Sequence, residues 1–394
     1  MVVIVSALRS AIGRYGGSLC HTTPENLVST MLKNNLSSAG IDGSFVDEVI
    51  IGHTKQSAHN PNIARLSLLK AQLPEHIPAH TVHMQCASGM QAVMNGAMSI
   101  MTGKNDVVLA GGVEVMSQAP YYFVDNRFGI NPGDLTLYDS NIESQPKSQP
   151  KDIYGHFSMG MTAEWLAEKY NISREEQDEF SLLSQEKAFE AIQSKRFSDE
   201  IVPISVNKGR GEFYYFAEDE FPRETSIEKL AKLKPVFKED GTVTAGNATG
   251  RNDGAATLLM MHESKAKDLG LEPLAYIRSF ASAGVNPKAM GIGPVPATKK
   301  ALYSAGLSFN DLDLIELNEA FAAQSIAVLK EWDSDGRNVN VNGGAIALGH
   351  PLGSTGARVL TTLVHELKKR NNQYGLATMC VAGGQGISMV VERK

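Results

Sequence analysis

Short apolar runs, several of them ending in glycine, alternate along this chain with stretches whose apolar positions recur at helical spacing. The runs from Val2, from Asp47 (D-E-V-I-I-G), from Val107 (V-V-L-A-G-G), from Asp313 (D-L-I-E-L-N) and from Ala377 (A-T-M-C-V-A-G-G) read as buried strands. Leu360, Leu363, Val364 and Leu367 form one helical stripe, and Lys368, Lys369 and Arg370 close that helix where its dipole favours cations. Met90, Val93, Met94, Ala97, Met98 and Met101 make an earlier helix apolar nearly all round, which predicts burial between sheets with the methionines as core filler. Strand and helix signals in alternation predict an α/β architecture. Its two halves echo each other. Each has a strand, a turn carrying a cysteine or histidine, a helix and a second glycine-ended strand, so an internal duplication is expected. Between them, from about Pro120 to Ala245, the texture changes. Asn141 to Lys151 reads as an exposed loop, Thr162 to Tyr170 as a helix, and Ser173 with Glu176 as a capping box opening a helix that runs to about Gln193.

A chain of 394 residues exceeds what one core usually fills, so two or three packed units are expected. No apolar run approaches the roughly 18 residues of a membrane span. The start is too short for a signal-peptide core, and the last residues carry no organelle address. Three well-separated cysteines give neither a disulfide framework nor a metal-binding pair, which fits a reducing cytoplasm. A net charge of −6 argues against general nucleic-acid binding.

Candidate chemistry concentrates in three motifs: C-A-S-G-M at Cys86, G-H-P-L-G around His350, and C-V-A-G-G-Q-G at Cys380. A lone cysteine is more often a small buried hydrophobe. Cys86, however, sits where a strand turns into a helix, and free backbone N–H groups and the dipole there favour a thiolate. His350 lies in a rigid turn between glycine and proline. Cys380 ends an apolar strand and enters Ala382-Gly383-Gly384, where backbone can approach closely. Ten histidines are present; His53, His59, His76 and His80 have no catalytic context.

These motifs run in a fixed order with A-L-R-S-A-I-G-R-Y-G-G from Ala7, N-D-V-V-L-A-G-G-V-E-V-M-S from Asn105, G-T-V-T-A-G-N-A-T-G from Gly241, G-I-G-P-V-P-A from Gly291 and L-N-E-A-F-A-A-Q from Leu317. Together they cover nearly the whole chain, which resembles the thiolases, enzymes that make or cleave the carbon–carbon bond of 3-ketoacyl-CoA. The resemblance implies a five-layered α-β-α-β-α core from two duplicated halves, residues 1–119 with 246–270 and residues 271–394, with an inserted loop domain at 120–245. It implies Cys86 as nucleophile, His350 as its activator and an oxyanion donor, Asn318 holding a water as the other donor, and Cys380 as the acid–base thiol. A second oxyanion hole would use the N–H groups of Cys86 and Ala382. Ser158, Met159, Thr249, Met290, Ala320 and Phe321 would meet substrate and coenzyme A. Arg223 and Lys229 are cationic candidates for its phosphates, although charge alone favours a solvated face for that cluster with Lys232 and Lys234.

The chain departs from the family at several places. Ala382 stands where glycine is usual, Ser158 where biosynthetic members place histidine, Thr249 where serine is usual, Arg251 where an apolar residue is usual, and His83 near a usual asparagine. The implied reaction is the reversible Claisen condensation of two acetyl-CoA to acetoacetyl-CoA and CoA, with coenzyme A as substrate rather than cofactor and no metal. The expected assembly is a homo-oligomer, dimer or tetramer, with no nucleic-acid or membrane partner. A degradative 3-ketoacyl-CoA thiolase of broader chain length is a second reading. A non-catalytic CoA-binding subunit of a fatty-acid oxidation complex is a third, against which the joint presence of Cys86, Asn318, His350 and Cys380 argues. Ketoacyl-carrier-protein synthases share the architecture but pair one cysteine with two histidines and would not need Cys380.

Overall fold

The computed structural model describes residues 1–124, 126–130, 132–209 and 211–394. Its apolar runs form one mixed sheet: β1 (Val2–Ser10), β2 (Glu48–Gly52), β3 (Ala79–Val82), β4 (Val107–Val115), β5 (Asn252–His262), β6 (Ala275–Gly284), β7 (Leu314–Leu317), β8 (Tyr374–Val381) and β9 (Gln385–Glu392). The strand order is β7-β8-β9-β6-β1-β5-β4-β2-β3, and the short segments Gly13–Arg14 and Ile201–Val202 pair with β5 and β1. Between β1 and β6 the ladder holds only Val3 opposite Tyr276 and Ile4 opposite Ala275, so two half-sheets meet there.

Side-chain alternation builds the layers. On β5, Ala256, Leu258 and Met260 enter the central core while Ala255, Leu259 and Met261 enter an outer one. Helices α1 (Pro24–Ala39) and α2 (Ile63–Lys70) pack on the outer face of the first half-sheet. Helix α3 (Ser88–Met101) is followed by α4 (Met159–Lys169), α5 (Arg174–Gln193), α6 (Pro294–Ala305), α7 (Ala322–Trp332) and α8 (Leu352–Arg370). Helices α3 and α8 pack on each other between the half-sheets, α3 on β2, β4 and β5 and α8 on β4 and β5 as well as on β7 and β8. Helix α6 covers the outer face of the second half-sheet, where Val328 of α7 joins the same apolar cluster. The result is the expected five-layered α/β core.

The duplication is visible in the connectivity. The order β1-α1-β2-α2-β3-α3-β4-β5 is repeated as β6-α6-β7-α7-α8-β8-β9, with a single parallel bridge from Ile315 to Val339 where the fifth strand of the repeat would lie. Between β4 and β5 the chain leaves these layers. There α4 joins Met290, Ala320, Phe321 and Cys380 in a separate apolar cluster.

Three expectations need correction. Asn141 to Lys151 is not an exposed loop: it holds the short helices Ser140–Glu143 and Pro146–Ser148 and starts a third at Lys151, with Asn141, Pro146 and Gln149 buried. Asn141 Nδ2, Ser144 Oγ, Ser148 Oγ and Gln149 Nε2 meet protein partners. Met98 and Met101 are exposed at 41% and 50%, because α3 outruns its neighbours at its C-terminal end. Helix α4 begins earlier than Thr162, at Met159, because Ser158 caps it by accepting from the Met161 N–H.

Candidate active site

Glycines at the starts of α3 and α8 let the two helices meet nearly backbone to backbone. A Cβ on Gly89 would lie 2.7 Å from the Gly353 carbonyl oxygen, one on Gly112 1.9 Å from it, and one on Gly356 2.5 Å from the Met90 nitrogen. Those contacts bring the turns carrying Cys86 and His350 to the same end of the helix pair. Glu114, fully buried on β4, completes the junction. Its carboxylate accepts from the N–H groups of Thr54, Lys55 and Gly353 at 3.1, 3.1 and 2.9 Å and lies 3.3 Å from His53 Nε2. His53 thus serves the scaffold, as its lack of catalytic context implied.

The Cys86 turn is strained at Gln85, whose φ of +46° few non-glycine residues adopt. Ser88 ties it down, accepting from Met84 N–H and donating to the Gln85 carbonyl. On the other side, the His350 N–H donates to Asn252 Oδ1 at 3.0 Å. Gly349 has φ +100°, and a Cβ there would strike the Asn252 amide at 2.5 Å. His350 Nδ1 lies 2.6 Å from Thr355 Oγ1, which itself donates to the Pro351 carbonyl. With the hydroxyl proton given to the Pro351 carbonyl, Nδ1 is the donor to Oγ1, and in that tautomer the neutral ring presents a bare lone pair at Nε2. Nε2 is buried and has no protein partner among the described residues. It can take a thiol proton, and only after doing so becomes an oxyanion donor. Burial, with the Arg358 charge adding to it, pushes His350 down to about 3.

Burial also pushes Cys86 up to about 11, against the lowering effects of the Ala382 N–H bonded to it and of the Lys55 charge. Burial thus opposes the helix N-terminus at Cys86 and holds the His350 imidazole toward its neutral form. Cys380, on β8 opposite Gly386, is pushed up by burial and then by the charge of a Cys86 thiolate. The two thiols thus resist ionising together. Ala382 is well accommodated, because the positive φ values fall on Gly383 and Gly384, at +89° and +83°.

Cys86, His350 and Cys380 line one cavity of about 260 Å³. Ser158, Met159, Thr249, Met290, Ala320 and Phe321 line it too, with Phe237, Arg251 and the Asn141–Pro146 stretch. Thr249 Oγ1 donates to the Ala345 carbonyl at 2.9 Å, which leaves its lone pairs free to accept. Asn318 lies behind this surface, fully buried, and neither Oδ1 nor Nδ2 of its amide has a protein partner among the described residues. Arg223 and Lys229 are outside the lining. Arg223 donates to the Ala245 carbonyl and stacks on Phe221, and Lys229 is exposed. The cation that does line the cavity is Arg251. Thr355, Phe237 and Lys55 escaped the sequence reading. For Thr355 the available signal was a hydroxyl one helical turn beyond the histidine. For Phe237 it was Gly160, where a Cβ would run into the Phe237 ring at 2.2 Å. Among the described residues, no group of three or more His, Cys, Asp or Glu is placed to hold a metal, and no helix is long and apolar enough to cross a membrane.

Comparison with known proteins agrees with this architecture. Residues 2–264 match the thiolase N-terminal domain and residues 271–393 the thiolase C-terminal domain. An acetyl-CoA acetyltransferase of Pseudomonas aeruginosa is 50% identical over 393 residues, covering 100% of this chain and 99% of that protein. A probable acetyl-CoA acyltransferase of Staphylococcus aureus is 47% identical over the same shares. The crystal structure of the Bacillus anthracis acetyl-CoA acetyltransferase superposes with a TM-score of 0.96 at 47% identity, covering 99% of this chain and 98% of that one. Human mitochondrial 3-ketoacyl-CoA thiolase in complex with CoA gives 0.95 at 43%, over 100% and 98%.

Proposed function

The chain belongs to the thiolase family and is an enzyme, and from that premise we propose that it catalyses the reversible condensation of two acetyl-CoA to acetoacetyl-CoA and CoA. The observation that carries this reading is the convergence of two thiols and an imidazole with a bare Nε2 on one largely apolar cavity. Cys86 passes its proton to His350 Nε2 as its sulfur attacks the thioester carbonyl. The oxyanion faces the Cys86 and Ala382 N–H groups, and the departing CoA sulfur takes the proton from Nε2. In the second half, the Cys380 proton moves to His350 and the Cys380 thiolate removes a proton from the methyl of the second acetyl-CoA, whose enolate oxygen meets the Nε2–H and a water held by Asn318. The carbanion attacks the Cys86 acyl carbon, with the acyl oxygen again facing the Cys86 and Ala382 N–H groups. Cys86 leaves as thiolate and recovers its proton from His350, so the site ends as it began. Cys380 ionises after Cys86 is acylated, when no Cys86 charge opposes it.

Thr249 accepts from a pantetheine amide, Ser158, Met159, Met290, Ala320 and Phe321 shape the acyl pocket, and Arg251 faces the phosphates at the mouth, with Arg223 and Lys229 more distant. Residues 1–119 with 246–270, 120–245 and 271–394 are the working division of the chain. Edge strand β3 offers unpaired backbone groups and Tyr121, Phe128, Leu135 and Leu137 are exposed, which supports a homo-oligomer, dimer or tetramer. Three free cysteines suit the cytoplasm. Sharing its fold with a 3-ketoacyl-CoA thiolase, the chain has a second reading of broader chain length.

The test is thiolysis of acetoacetyl-CoA and longer 3-ketoacyl-CoA, with labelling by radioactive acetyl-CoA. Cys380→Ala should still take up label while losing condensation, and Cys86→Ala should do neither. Near wild-type condensation by Cys380→Ala would remove it as the base. A higher kcat/KM for ten-carbon chains than for acetoacetyl-CoA would replace the primary reading with the second.

A further inference from the structure

Lys55 is buried beside the Cys86 turn, and its side chain has no carboxylate partner among the described ion pairs. Its ammonium instead donates to the Ser140 carbonyl at 2.7 Å and to Ser144 Oγ at 2.5 Å. A buried charge is costly unless it is well answered; here its hydrogen bonds go to neutral oxygens of a single segment, Asp139 to Gln149, and the charges of Glu114 and Asp139 add to its stabilisation. That segment forms a strap over the cavity. Gln85, next to the nucleophilic cysteine, donates to Ser148 Oγ at 2.8 Å, and Asn141 Nδ2 donates to the Met116 carbonyl at 2.9 Å. At its far end the strap crosses to the other half of the molecule, where a Cβ on Gly383 would lie 2.9 Å from the Ser148 carbonyl oxygen.

The inner side of the strap is cavity wall: Asn141, Ile142, Gln145 and Pro146 all line it. Its outer side is solvent, since Ile142 is also 53% exposed. The strap shares this lining with Cys86, so its position bears on the room left for an acyl chain on that sulfur. Nothing else buried in the strap carries a charge that could hold it. Its regular structure is limited to short helices such as Ser140–Glu143, too short to hold themselves.

We propose that Lys55 is a specificity-determining latch which, with Gln85, pins the Asp139–Gln149 strap across the acyl pocket and restricts the enzyme to short acyl groups. The inference rests on the thiolase reading above, because it concerns the acyl chain of the same substrates. Lys55→Met keeps the stem and volume but removes the ammonium. The ratio of kcat/KM for eight-carbon over four-carbon 3-ketoacyl-CoA should rise about tenfold or more, since each methylene that gains a buried wall is worth roughly a fourfold factor. Amides of residues 139–149 should exchange hydrogen faster in the variant. Ser144→Ala and Gln85→Leu should each shift the ratio the same way by less, and Ser144→Ala should add little on top of Lys55→Met. These milder variants carry the test if Lys55→Met does not fold. A wild-type enzyme that fails to cleave acetoacetyl-CoA refutes the functional reading, while the exchange measurement still judges the latch. An unchanged ratio with wild-type exchange in the strap overturns the latch. An equal loss for both chain lengths also overturns it, because Lys55 would then act on the Cys86 chemistry and not on the pocket.

Discussion

Thr355 offers the sharpest probe of how His350 is set. Thr355→Val keeps the shape of the side chain and deletes only the hydroxyl that lies 2.6 Å from Nδ1. With it goes the reason for the proton to reside on Nδ1, and a ring protonated on Nε2 has no lone pair for the Cys86 proton. The imidazolium formed during acylation also loses an answered N–H in a fully buried place. Leaving such a donor unmatched costs about 1–3 kcal/mol, which at tenfold per 1.4 kcal/mol corresponds to a rate lower by about 5- to 150-fold. Thr355 is not part of the cavity lining and its loss acts through the protonation of the ring, so binding of acetyl-CoA should change little.

The assay is rapid-quench acylation with labelled acetyl-CoA, which gives the first half-reaction separately from condensation. The acylation rate should fall by that factor at nearly constant half-saturation, and Thr355→Ser should restore most of it. Loss of the i to i−4 bond from Thr355 to the Pro351 carbonyl touches only the first turn of α8, and thermal unfolding reports any wider damage. An acylation rate within twofold of wild type would refute the tautomer argument. A rise in half-saturation without a fall in rate would do the same.

How much of this could be read from the chain differs by residue. The α/β architecture was legible because glycine-ended apolar runs and helical stripes record burial directly, and the duplication because its two copies keep the same order of elements, whereas the five layers came from the resemblance to the thiolases. Cys86, His350 and Cys380 stood out because their glycines mark close backbone approach, which the Gly89 and Gly353 contact now explains. Asn141 to Lys151 was misread. Ser, Gln and Pro describe a loop equally well whether its polar groups face water or a buried lysine, and Lys55 lies far from them in sequence. The Cys86 environment was only partly legible for a related reason: a helix N-terminus is visible in sequence, but the desolvation that opposes it comes from distant segments. Arg223 and Lys229 drew attention by clustering, whereas Arg251, alone in its stretch, is the one that reaches the cavity.

The resting protonation state has a direct kinetic signature. With Cys86 pushed up to about 11 and His350 down to about 3, alkylation of Cys86 by a small neutral electrophile should climb steadily through pH 9 and level only near 11, with no step near the ordinary histidine range. A plateau already reached by pH 7 would mean a standing thiolate–imidazolium pair and would reverse the assignment. Gly89→Ala probes the other foundation of the site. The added methyl would lie 2.7 Å from the Gly353 carbonyl oxygen and 3.1 Å from the Ala357 nitrogen, both backbone atoms that no side-chain rotation can clear. Helices α3 and α8 must therefore separate, and overpacking of this kind costs about 1–3 kcal/mol. Alanine also favours the helix over glycine by about 0.8–1.0 kcal/mol, so the net loss in thermal or denaturant unfolding is expected to be modest. The loss of activity should be much larger than that stability change implies, because the same separation moves Cys86 away from His350. A variant that is destabilised but acylates at the wild-type rate would show that the glycine contact serves packing alone and does not set the distance between nucleophile and base.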